Sequence, residues 1–94
     1  MPRKSWVRVE GSGLAVEGPC ILNAVIFEPV TGADYVDIYD GVDATAGKLF
    51  CHIVSSVVVT WCFCLGDGVP FDAGVYVADI DEGTGTTIVF TPLE

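Results

Sequence analysis

Positive charge is scarce in this chain: four Lys and Arg stand against 13 Asp and Glu, leaving a formal net charge of −9. A surface of that sign repels phosphate, so nucleic acid is not an expected partner. Helical periodicity is missing as well, because no long segment repeats its apolar positions every three to four residues between capping signals. The most apolar stretch, CHIVSSVVVTWCFCLG, is broken by Ser55 and Ser56, falls short of a membrane-spanning helix and is rich in β-branched residues. No membrane contact is expected. The opening MPRKSWVRVEG lacks the continuous apolar core and small-residue cleavage site of an export signal, so synthesis and folding in the cytoplasm are expected.

Motifs that carry chemistry are absent too. The sequence has no GxxxxGK, no GxGxxG after a strand, no HExxH and no GxSxG. Its single histidine, His52, is the sole imidazole available to activate a thiol, and catalysis would need a cleft joining it to a cysteine or carboxylate. No enzymatic activity, cofactor or resident metal is expected.

What is present is a succession of strand-length runs. SWVRV, LAV, CILNAVIFE, YVDIY, KLFCHIV, VVVTWCFC, VYVADI and TTIVF are separated by EGSG, EGP, TGAD, DGVDATAG, LGDGVPFDAG and DEGTG. About eight short strands between turn signals predict an all-β fold, an antiparallel β-sandwich of jelly-roll-like type. Ninety-four residues make a single domain, with residues 1–17 as an N-terminal arm and first strands and residues 18–94 as the sandwich core. Alternation gives several runs one buried face: Val7 and Val9 oppose Trp6, Arg8 and Glu10, while Val36 and Ile38 oppose Tyr35, Asp37 and Tyr39. In CILNAVIF and VVVTWCFC both faces are apolar, so these strands are either covered on both sides or meet a second chain. A chain this small has little interior for the first option, and a homo-oligomer is expected. Trp61 is expected in the core, because Val57, Val59 and Phe63 share its face.

The acidic clusters read as turns. In YDGVDATAG, Asp40 and Asp43 accept backbone hydrogen bonds while Gly41 and Gly47 supply tight geometry. DIDEGTGTTIVF fails as an EF-hand, since Glu82, Gly83 and Phe90 occupy the wrong positions, although Asp79, Asp81 and Glu82 remain a candidate for a weaker cation site. Glu28, before Pro29, is the carboxylate whose burial is worth testing. Cys20, Cys51, Cys62 and Cys64 read as reduced thiols that pack as small hydrophobes, with a Cys51–Cys62 bridge open on exposure to air. Zinc held by Cys51, His52, Cys62 and Cys64 would have to break strand alternation between Cys51 and His52.

The segments GPCILNAVIFEP, DYVDIYDG, AGKLF, LGDGVPFDAGVYVADID and TTIVFTP together resemble the small all-β virion proteins of tailed bacteriophages. The resemblance runs from Gly18 to Pro92 and rests on glycine, turn and strand signals. It implies a capsid decoration or cement protein on the virion surface, made in the host cytoplasm, a homotrimer that binds the major capsid protein. Contact would come through Trp6 as an aromatic anchor, with Arg3, Lys4 and Arg8 facing partner carboxylates. The alternative is a tail, fibre or baseplate component or a small carbohydrate-binding module, marked by an aromatic, carboxylate-lined surface groove in place of a flat capsid-facing arm; Tyr35 and Tyr39, facing away from Val36 and Ile38, are read as either an exposed patch or a pair packed beneath a loop.

Overall fold

A computed structural model describes residues 3–30, 34–79 and 85–93. Their regular structure is entirely strand: β1 (Ser5–Glu10), β2 (Gly13–Glu17), β3 (Cys20–Glu28), β4 (Asp34–Asp40), β5 (Lys48–Ser55), β6 (Trp61–Phe71), β7 (Gly74–Asp79) and β8 (Gly85–Pro92). They form two antiparallel four-stranded sheets, sheet A in the order β1-β8-β3-β6 and sheet B in the order β2-β7-β4-β5. The chain pairs like one long hairpin folded at the β4–β5 loop: β4 with β5, β3 with β6, β2 with β7 and β1 with β8. Contacts of β3 with β8 and of β4 with β7 complete the sheets. The first 17 residues contribute one strand to each sheet, and Trp6 sits on β1, which is paired with β8 from end to end.

The core lies between the sheets. Leu22, Val25, Phe27, Phe71 and Ile88 of sheet A meet Val16, Val36, Ile38, Val75 and Val77 of sheet B, all of them buried. β3 explains its own two-sided apolar pattern. Cys20 and Leu22 point inward, Asn23 is an extra residue in a bulge against β8, and Val25 and Phe27 then carry the inward face. The bulged Asn23 accepts a hydrogen bond from the Thr91 hydroxyl at 2.8 Å. Ile21, Ala24 and Ile26 are left on the outer face, where no further layer of the described residues covers them.

Around β6 the structure departs from the sequence reading. The strand begins at Trp61, so Val57–Val59 belong to an exposed connection, and it continues to Phe71 through the stretch expected to be a loop. Gly66 and Gly68, at φ 59° and 97°, allow this. They bulge opposite Asn23 between the Ala24–Cys64 and Leu22–Val69 pairs, after which β6 rejoins the ladder. A β-carbon at Gly68 would stand 2.3 Å from Ile21 Cγ2, in a backbone region that side chains rarely adopt. Gly68→Ala is therefore expected to cost about 1–3 kcal/mol in chemical denaturation.

Trp61 is not a core residue. It lies opposite Phe27 on the inward side of β6, but β6 is the edge strand of sheet A and the sandwich is open there, leaving the indole 40% exposed. β5 also deviates from plain alternation. Its bulge against β4 sets Leu49 opposite Tyr39, while Cys51 and Ile53 pair with the inward Ile38 and Val36. Phe50 turns its ring edge onto Phe71, with centroids 5.1 Å apart.

Candidate functional site

The DGVD segment is a clasp between loops. Asp40 accepts hydrogen bonds from the backbone amides of Asp72 at 3.0 Å and Ala73 at 2.9 Å, and the Gly41 amide donates to Gly74 O at 3.1 Å. Asp43 closes its own turn, with its carboxylate accepting from Ala46 N and its carbonyl from Gly47 N. Asp40→Ala should therefore cost about 1–2 kcal/mol and speed hydrogen exchange at the Asp72 and Ala73 amides. Asp79 is tied by its backbone to the Ser12 hydroxyl, whereas Asp81 and Glu82 lie outside the described residues. Among the described residues no group of three or more His, Cys, Asp or Glu is placed to hold a metal ion. No described helix is long and apolar enough to cross a membrane.

The outer face of sheet A carries no further layer among the described residues. Strand register lines up Trp6, Val89, Ala24 and Cys64 in one row and Arg8, Thr87, Ile26 and Cys62 in the next. Trp6 is 69% exposed, and Cys62 and Cys64 are exposed on the same face. The four expected contact residues divide. Arg3 and Lys4 are exposed beside Trp6, but Arg8 is occupied within the chain: it hydrogen-bonds Glu28, lies 3.8 Å from Glu10 and rests its guanidinium over Gly85. Glu28 is thus a half-buried ion-pair partner at a strand end.

Beside this face is the open end of the sandwich. Trp61 and Phe63 stack at 6.4 Å between centroids, and the Trp61 indole N–H donates to Ser55 Oγ at 2.9 Å. Val54, Val57, Val58 and Val59 are exposed around them. A shallow cleft of about 150 Å³ lies toward the other end of β6, between Phe50, Val69 and Phe71, with Asp40 and Lys48 at its rim. From Leu49 to Gly66 the chain carries no Asp, Glu, Lys or Arg. That gap in charge was the legible signal for this surface.

The outer face of sheet B has a different character. Leu14, Tyr76, Tyr39 and Leu49 form one row, and His52 hydrogen-bonds Asp37 while leaning on the Tyr35 ring at 5.0 Å. His52 and Cys51 project to opposite sides of β5, so the structure does not join imidazole to thiol. Nor are Cys20, Cys51 and Cys62 activated. Burial, with Asp40 nearby, raises the Cys20 pKa; burial and then Asp37 raise that of Cys51; and a hydrogen bond with Cys64 raises that of Cys62. All four cysteines are free. Comparison with known protein families, curated proteins and solved structures returned no match.

Proposed function

We propose that this chain is a non-enzymatic structural protein that works by surface contact, a homo-oligomeric decoration or cement protein on the capsid of a tailed phage. The observation that carries this reading is the outer face of sheet A, where Trp6, Val89, Ala24, Ile26, Cys62 and Cys64 make an apolar surface with no layer of the described residues over it. Exposed, contiguous apolar surface of this kind is characteristic of interaction sites. Trp6 is the anchor, with Arg3 and Lys4 facing carboxylates of the major capsid protein, while Arg8 holds the platform by its pairing with Glu28. The two-sheet winding, with its hairpin of strand pairs, is in our reading a jelly roll, an architecture used by viral coat domains.

Light scattering on the purified chain tests self-association: a mass that is a multiple of 9.9 kDa, unchanged by chelator or reductant, is expected, and a monomer overturns it. Quantitative mass spectrometry of purified phage particles tests location. Copy numbers comparable to the major capsid protein are expected, and tail-level copy numbers or absence overturn it. Trp6→Asp should keep the oligomer but weaken its addition to particles lacking the protein by about thirtyfold.

One observation favours a second reading, a carbohydrate-binding surface: the outer face of sheet B sets Tyr35, Tyr39 and Tyr76 around the Asp37–His52 pair. Aromatic faces beside hydrogen-bonding groups suit a sugar ring. Binding on a glycan array that disappears in Tyr39→Ala would move the assignment there.

A further inference from the structure

Each sheet of the sandwich has two edges, and they are protected unequally. β1 carries Arg8 and Glu10, β2 is short, bulged and ends on Glu17, and β5 opens on Lys48 and bulges against β4. β6 has a wide bulge and Pro70 in its second half, but its first half, Trp61–Leu65, has no charge and no proline, and its ladder to β3 runs unbroken from Trp61 to Cys64. A straight apolar edge with free backbone amides and carbonyls is a template for another strand, and proteins ordinarily block such edges.

We propose that the free edge of β6 pairs antiparallel with the same segment of a second copy, about a two-fold axis at Phe63, joining two A sheets into one. The proposal rests on the reading above that the chain self-associates, and it names the surface and the symmetry. Three observations select a second copy as the occupant. An isologous contact must be self-complementary, and the segment WCFCL is: with Phe63 opposite Phe63 of the second copy, each Cys62 faces a Cys64 and each Trp61 faces a Leu65. The register follows from the pleat. Residues paired across a ladder must point to the same face, so only a residue can lie on the axis, and Phe63 is the residue that uses the whole straight segment ahead of the Gly66–Gly68 bulge. Finally, two copies each bearing a net charge of −9 repel, and Leu49–Gly66 is a stretch with no acidic residue to oppose another.

The pairing would cover the exposed parts of Trp61 and Phe63 at the open end. It would also extend the outer face of sheet A across both copies, so that two Trp6 anchors stand on one continuous surface. A two-fold contact differs from the trimer that the sequence resemblance implies.

The register makes a covalent test available. Directly opposed residues in a ladder have Cα atoms about 4.5–5.5 Å apart, within the span of a disulfide. Diamide should therefore join Cys62 of one copy to Cys64 of the other, the two thiols giving up two protons and two electrons to the reagent. A covalent dimer is expected on non-reducing gels for the wild type. Neither Cys62→Ser nor Cys64→Ser should give one, because each leaves the remaining thiol of the pair opposite a serine. Co-expressing the two variants should restore it, since a mixed pair again sets Cys62 against Cys64. Light scattering is run on the same samples without oxidant. A monomer overturns both this proposal and the self-association reading. An oligomer whose single variants still cross-link, or whose wild type does not, overturns the β6 pairing and leaves self-association standing.

Discussion

Phe27→Ala is expected to lower folding stability by about 3–5 kcal/mol, the range for emptying a large aromatic site in a packed core. Phe27 is fully buried in β3, paired with Thr86 of β8 on one side and Trp61 of β6 on the other. A domain of this length has a total stability of roughly 5–14 kcal/mol, so the loss would be a large share of it. The melting temperature should fall by about 15–30 °C. Phe63→Ala removes the same side chain two rungs along the same sheet, at a site 37% exposed where sheet B gives little cover. Its effect on the stability of the isolated chain should be less than half as large. Equal losses would mean that the sandwich is closed at the β6 end.

That contrast between Phe27 and Phe63 also marks how far the sequence could be read. Turn signals and alternation were enough for eight strands, for the inward set Val7, Val9, Val36 and Ile38, and for Asp40 and Asp43 as loop residues. What alternation cannot carry is a change of parity. A bulge at Asn23 moves the inward face of β3 from Cys20 and Leu22 to Val25 and Phe27, and a bulge in the β4–β5 ladder sends Leu49 outward. Both look in sequence like strands apolar on two sides. Nor does a local pattern tell where a sheet ends. Trp61 shares the inward side with Phe63, as alternation suggests, yet it is exposed because β6 is the last strand of its sheet, a property set by the pairing of distant segments. Of the four residues expected to make contact, Trp6, Arg3 and Lys4 are exposed, while the capture of Arg8 by Glu28 depends on β1, β8 and β3 lying side by side.

The largest effect on assembly is expected from Phe63→Lys. In the proposed pairing Phe63 lies on the two-fold axis, so one substitution sets two ammonium groups opposite each other, where like charges destabilise a ladder. It also removes two aromatic rings from the centre of the contact, the place where truncation is costliest. Lysine at an edge is the device proteins use to prevent strand addition. The two penalties together should raise the dissociation constant by at least about thirtyfold. Light scattering over a dilution series should then report a monomer at concentrations where the wild type stays associated. The fold itself should persist, because a lysine at a position 37% exposed can run its stem over Trp61 and place its charge in water. An unchanged circular dichroism spectrum with a lost oligomer is the expected pair of results. An oligomer that survives Phe63→Lys would locate the contact elsewhere, and the outer face of sheet A around Trp6 would be the next surface to test, by Trp6→Asp in the same assay.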